Sequence, residues 1–235
     1  MLGWRGRFGY VSPSTIQLPW EMQDMLPDGV GVIGTVLGVR AHQDSEFARA
    51  QQGIETAIET VVGEGAQVVI LGGVPVAVRQ GYRGDLENHR RWSERFGIPV
   101  TTTMASMVEG LRHLGASRPL VATAFQEATN ELIARYLAEA ELEVVAVKGL
   151  SVRSPAEASR VEAHAYYELA HNLALAHPEA DSVFLGTRGN TREIAMRLAE
   201  DLALPVVYST QAALWWALRQ LRVSPLPGCG GLLEG

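Results

Sequence analysis

The chain carries a single lysine, Lys148, and a single cysteine, Cys229, in 235 residues. One cysteine excludes an internal disulfide and a thiolate metal cluster, and it predicts a reducing compartment. Arginine supplies nearly all the positive charge. Arginine suits bidentate carboxylate binding, although a bias of genome composition or of the surface also accounts for it. The net charge is −6, which argues against a nucleic-acid partner, because binding phosphates needs clustered Lys/Arg. No apolar run approaches the ~20 residues of a membrane span. Residues Met1–Gly9 contain no long apolar segment, so no signal peptide is expected, and a cytoplasmic protein is. No histidines and carboxylates share metal-ligand spacing, so neither a metal nor another cofactor is predicted. Gly29-x-Gly31-x-x-Gly34 lies inside a predicted strand rather than after one, and therefore fails as a nucleotide fingerprint.

What is present is an alternation of short apolar runs with helical periods. Strands are predicted over Phe8–Ser12, Val30–Val39, Val68–Leu71 and Pro99–Thr103. Helices are predicted over Glu46–Val62, Asp85–Phe96 and Ser106–Leu114. The pattern then restarts. Strands are predicted at Pro119–Thr123, Val144–Val147, Val183–Leu185 and Val206–Tyr208. Helices follow at Asn130–Ala140, Pro155–Ala176, Thr191–Leu202 and Ala212–Leu221. The two halves also match locally. Val68-Val69-Ile70-Leu71-Gly72-Gly73 parallels Ser182-Val183-Phe184-Leu185-Gly186-Thr187, and Ile98-Pro99-Val100 parallels Leu204-Pro205-Val206. This predicts an α/β fold of two Rossmann-like parallel-sheet subdomains related by pseudo-twofold symmetry, with the site in the cleft between them. The halves are expected at 1–117 and 118–224, with a Pro/Gly-rich tail over 225–235.

Ligands of such sheets lie beyond the carboxyl ends of the strands. That rule collects Pro13-Ser14-Thr15, Gly73-Val74-Pro75, Thr101–Thr103, Phe125-Gln126, Thr187-Arg188-Gly189-Asn190 and Ser209-Thr210. Hydroxyls and free amides next to helix starts suit an anion; Ser, Thr and Gly are also ordinary strand-to-helix punctuation.

At these residues the chain resembles the arylmalonate decarboxylase family, within the superfamily of aspartate/glutamate racemases, maleate isomerases and hydantoin racemases. The similarity is closest in Gly97-Ile98-Pro99-Val100-Thr101-Thr102-Thr103-Met104, Leu111-Arg112-His113-Leu114-Gly115-Ala116, Ala122-Thr123-Ala124-Phe125 and Asn130-Glu131. The resemblance implies cofactor-free chemistry beside a carboxylate, with strand-end cysteines as acid and base and a cradle of amides and hydroxyls. The sequence departs from that pattern at the chemistry. In the decarboxylases the first-half site is already a glycine, matching Gly73, and the essential cysteine of the second half aligns with Thr187; the donor pair of the dioxyanion pocket is Val74-Pro75, and its tyrosine is Phe125. Ile16 stands where the maleate isomerases carry asparagine. Cys229-Gly230-Gly231 copies the family's active-site string, but in the tail. It reads as coincidence, or else as a tail that folds back or reaches a neighbouring subunit.

The candidate catalytic residues are therefore Thr187, Arg188 and His42, the histidine beside Arg40 after the second strand. The alternative for each is a residue of a spent site or a surface loop. The candidate substrate-binding residues are Pro13, Ser14, Thr15, Gly73, Val74, Pro75, Phe125, Gly189 and Asn190. Asn190 and Thr191 also suit a helix cap. The expected activity is a lyase (decarboxylase) or an isomerase/racemase on a small carboxylic acid. The alternative is an inactive carboxylate-binding or regulatory homologue. The expected partner is a small carboxylate ligand, with no nucleic acid and no membrane; self-association into a homo-oligomer is left open.

Overall fold

The computed structural model describes residues 3–14, 20–187 and 191–234. In the first half the elements are β1 (Gly6–Ser12), α1 (Trp20–Asp24), β2 (Val30–Val36), α2 (Asp44–Gly63), β3 (Val68–Leu71), α3 (Val74–Ala77), α4 (Gly81–Phe96), β4 (Val100–Thr102) and α5 (Thr103–His113). The second half has β5 (Pro119–Thr123), α6 (Glu127–Glu139), β6 (Ala146–Gly149), α7 (Pro155–Ala158), α8 (Ala163–Ala176), β7 (Ser182–Gly186), α9 (Arg192–Leu202), β8 (Val206–Tyr208) and α10 (Ser209–Leu221).

The strands form two sheets of four, ordered β2-β1-β3-β4 and β6-β5-β7-β8, and every pairing is parallel. The two orders correspond strand for strand. The register makes the correspondence residue-specific: Leu71 pairs with Thr102, the last residue of β4, and Leu185 pairs with Tyr208, the last residue of β8. Gly73 and Thr187 each lie two residues beyond those leucines, so they occupy equivalent strand ends.

Both faces of the first sheet are buried, as its apolar runs require. Successive strand residues point to opposite faces. Phe8, Val68 and Ile70 therefore join one apolar cluster while Val11, Val69 and Leu71 join another. The first cluster continues through Met104, Met107 and Leu111 of α5 and Leu214 and Leu218 of α10 into Val121, Val183 and Leu185 of the second sheet. The second cluster fills the space beneath α2 and α4 with Ile54, Ile58, Val61 and Trp92. Burial of each large aliphatic chain contributes about 1.5–3 kcal/mol, so a core shared by both sheets fixes their strand ends relative to each other.

One helix expectation is corrected. The single helix predicted over Pro155–Ala176 is broken into α7 and α8. The Ser159 hydroxyl donates to the Pro155 carbonyl at 2.9 Å, which competes with helix continuation, and Val161 turns onto the core. The Pro/Gly-rich tail folds back onto the body, one of the two readings given above as alternatives to coincidence. Cys229, Leu232 and Leu233 are buried in the main cluster, and residues Gly231–Leu233 form a 3-10 turn. Leu232 fits over Gly110 of α5, where an added Cβ would lie 2.6 Å from it.

A polar link also joins the halves. Asp85 of α4 is 1% exposed. Its Oδ2 accepts from the Tyr136 hydroxyl of α6 and from the Thr102 hydroxyl, both at 2.6 Å, and His89 Nε2 lies 3.1 Å from Oδ1. One turn further along, at the C-terminal residue of α6, Glu139 accepts the Tyr82 amide at 2.8 Å. Replacing Asp85 by Ala strands two buried hydroxyl donors, each costing ~1–3 kcal/mol. Urea denaturation of Asp85→Ala is expected to show a loss of several kcal/mol, while Asp85→Asn, which keeps an acceptor, loses less.

Candidate functional site

Beyond β3 the chain must pass close to its neighbours. The Gly72 amide donates to the Val11 carbonyl at 2.8 Å, and a Cβ on Gly72 would lie 2.7 Å from Tyr10 Oη. Gly73 follows with φ +94°, and a Cβ there would approach Pro13 Cγ to 2.8 Å. Both the backbone angle and the contact favour glycine. They also bring Pro13 and Gly73, two of the predicted site residues, against each other. Ser14 is half-buried beside them.

α3 starts immediately, with Pro75 in its first turn, where a missing N–H is tolerated. Val74 and Pro75 are buried, and their hydrocarbon side chains offer no donor. The Pro75 carbonyl accepts from Arg79 Nη1 at 2.6 Å, and the Arg79 guanidinium lies 3.8 Å from the centroid of the Phe47 ring. Phe47 stacks on His42 at 6.1 Å, and His42 meets the ring of Phe125 edge-on at 5.8 Å. His42 thus reaches from the loop after β2 to the loop after β5. Its amide donates to the Arg153 carbonyl at 3.1 Å, and Nδ1 lies 3.4 Å from the Val152 carbonyl. The loop holding Phe125 is fixed. Its amide donates to the Thr123 hydroxyl at 3.0 Å, which donates in turn to Asn130 Oδ1 at 2.6 Å. A Cβ on Gly149 would sit 2.1 Å from the Phe125 carbonyl oxygen, so glycine is required there.

At the equivalent end of β7, Thr187 is 9% exposed. Its hydroxyl lies 2.6 Å from that of Thr191, and its carbonyl accepts from Ser209 Oγ at 3.4 Å. Thr191 does not cap α9 with its own side chain, contrary to the sequence expectation. The cap comes from Glu21 of α1, whose Oε2 accepts the amides of Thr191 at 2.6 Å and Arg192 at 3.0 Å. Glu21 is 2% exposed, and burial pushes its carboxyl above the usual range. The two amides, the Thr210 hydroxyl and the Arg192 charge oppose that shift without cancelling it. Nothing local in the sequence singles out Glu21, because its partners lie 170 and 171 residues away.

Thr102, expected among the ligand donors, is used internally. Its hydroxyl donates to Asp85 and accepts the Ala105 amide at 3.2 Å, capping α5. A cavity of about 280 Å³ lies between α2 and α4, lined by Ile54, Leu71, Gly73, Asp85, Trp92 and Thr102 among others; of the strand-end residues singled out in the sequence it takes in Gly73 and Thr102. Thr15, Arg188, Gly189 and Asn190, with Ile16, lie outside the described residues. Among the described residues no helix is long and apolar enough to cross a membrane, and no group of three or more His, Cys, Asp and Glu residues is placed to hold a metal ion.

Because the carboxyl of Glu21 is raised in the fold, the folded state holds its proton to higher pH than the unfolded chain does. Stability from this group is then present at acid pH and lost as pH rises from 4.5, the ordinary value, through the raised folded value. Thermal unfolding against pH is expected to show that loss in the wild type. Glu21→Gln, which cannot ionise, should lack this component.

Comparison with known proteins agrees with this geometry. The family profile "Arylmalonate decarboxylase" matches residues 9–233. Arylmalonate decarboxylase of Bordetella bronchiseptica is 30% identical over 228 residues, covering 89% of this chain and 95% of that protein. The crystal structure of a double mutant of arylmalonate decarboxylase in its liganded form superposes with a TM-score of 0.91 at 25% identity, covering 97% of this chain and 98% of that one. The maleate isomerase Iso of Pseudomonas putida S16 shares the fold, with a TM-score of 0.88 at 17% identity and 98% coverage of both chains. With its paired four-stranded sheets and its matched strand ends at Gly73 and Thr187, the chain belongs to the arylmalonate decarboxylase family.

Proposed function

We propose that the protein acts on a small carboxylic acid by cofactor-free lyase or isomerase chemistry, at the strand ends marked by Gly73 and Thr187 and without a thiol. The observation that carries this reading is the register of the two sheets, which makes those two residues equivalent. In this reading Thr187 stands where the decarboxylases carry their essential cysteine, and Gly73 stands where they, too, carry glycine and other members of the superfamily a second cysteine. A maleate cis-trans isomerase of Nocardia farcinica has been captured with a covalently bound succinylcysteine intermediate; here Gly73 and Thr187 supply no sulfur.

In such chemistry the electron pair of a broken C–C or C–H bond moves onto a carboxylate held by preorganised donors. A proton is then delivered to carbon. A threonine hydroxyl is too weak an acid for that step without a strong base. Histidine is the side-chain type suited to moving a proton near neutral pH, and the placement of His42 between Phe47 and Phe125 supports it as the proton carrier. Water and Arg188-assisted transfer complete the candidate donors. Pro13, Ser14, Thr15, Gly189 and Asn190 line the ligand in this reading, with Val74, Pro75 and Phe125 as its apolar wall.

A second reading, a carboxylate-binding homologue without turnover, is favoured by one observation. The Thr187 hydroxyl is engaged by Thr191 at 2.6 Å, while Val74, Pro75 and Phe125 bring no donor to the pocket. Proton NMR in D2O of the purified protein with aryl- and alkylmalonates, maleate, aspartate, glutamate and hydantoins separates the two. Product signals or loss of an α-proton signal are expected. Broadening of one compound without conversion selects the binding protein, and no response to any acid contradicts both. Thr187→Cys alone is expected to leave arylmalonate decarboxylation below detection, because the pocket donors are missing as well. Robust turnover by that variant would overturn this account of the pocket.

A further inference from the structure

The buried carboxyl of Glu21 is not used by the reading above, and its surroundings are specific. α9 brings two main-chain amides and the Arg192 charge to it. α10 brings the Thr210 hydroxyl, near enough to favour the ionised form but short of a well-formed hydrogen bond. From β8 comes the Tyr208 phenol, whose own ionisation the Glu21 charge opposes. Glu21 Oε2 takes both amides, whereas Oε1 is buried with no hydrogen-bond partner among the described residues. A helix N-terminus stabilises an anion through its dipole and free amides. Thr191 is of the type that caps such an end locally, yet its hydroxyl is turned to Thr187. The anion cradle next to Thr187 is thus filled by a carboxylate carried in from α1.

We propose that Glu21 is a specificity-determining residue: it occupies the anion cradle at the N-terminus of α9 from within, so that the ligand brings a single carboxylate to the site. This rests on the proposed function and narrows it. The ligand's carboxylate is held toward Pro13 and Gly73. A second carboxylate presented at the Thr187 end meets the Glu21 charge and finds the amides taken. Within cofactor-free acid chemistry this selects isomerisation or racemisation of a monoacid over decarboxylation of a diacid. The α-proton leaves to a base, its electron pair spreads onto the carboxylate, and a proton returns to the same carbon, so no other bond is broken.

Two measurements test this. In thermal unfolding with sodium formate as the probe, Glu21→Ala is expected to melt lower than the wild type and to be restored by formate, which the wild type does not respond to. An equal formate response in both proteins would overturn the cradle. In titrations with phenylacetate and phenylmalonate, the wild type is expected to bind phenylacetate more tightly. Removal of one nearby charge in Glu21→Gln should tighten phenylmalonate on the order of tenfold with little change for phenylacetate. Should Glu21→Ala not fold, the Gln variant, which keeps the side-chain shape, carries the test alone. Phenylmalonate bound no better by Glu21→Gln than by wild type would overturn the specificity. Formate rescue with neither acid bound by any variant would support the cradle and count against the proposed function instead.

Discussion

The packing of α5 against α10 between the two sheets is the contact on which the rest of the molecule depends. Met104, Met107 and Leu111 on one helix and Leu214 and Leu218 on the other belong to a single apolar cluster that reaches both β3 and β7. Because that core is common, the carboxyl ends of the strands are held as a pair rather than as two independent loops. The tail reinforces it, with Leu232 seated on Gly110, and the Asp85–Tyr136 bond ties α4 to α6. Polar groups at the strand ends are then positioned by a body that cannot shift one half without disturbing the other.

That frame explains why the site is chemically sparse yet geometrically exact. The loops that would hold a ligand are built from close approaches: Gly73 against Pro13, Gly149 against the Phe125 carbonyl, and His42 between two aromatic rings. Several hydroxyls there are engaged within the protein, as Thr187 is with Thr191, Thr123 with Asn130 and Thr102 with Asp85. Among the described residues near these strand ends, His42 and the buried Glu21 are titratable groups with defined placements.

Much of this was legible in the residues. The strands at Val68–Leu71, Pro119–Thr123 and Val206–Tyr208 match to the residue, because each is an apolar run cut by Gly or Pro, or by a helix-starting hydroxyl. Repetition of Leu-Gly before Gly73 and Thr187 exposed the paired strand ends, and the structure puts both in the same register. What was not legible depends on contacts between distant residues. Glu21 caps a helix 170 residues away, and no local pattern encodes that. The break between α7 and α8 follows from a side-chain hydrogen bond and from the pull of Val161 toward the core, which helical periodicity does not record. Burial of Cys229, Leu232 and Leu233 was hidden by glycines that read as a loop but in fact let the tail lie close against α5 and α10.

The central claim is that carbon–proton chemistry here proceeds without sulfur, and Cys229 is the chain's sole thiol. Its most direct test is deuterium incorporation at the α-carbon of phenylacetate in D2O, measured for the wild type and for Cys229→Ala with retention of fold checked by circular dichroism. The account predicts the same exchange rate for both proteins. Exchange by the wild type that a folded Cys229→Ala lacks would contradict it.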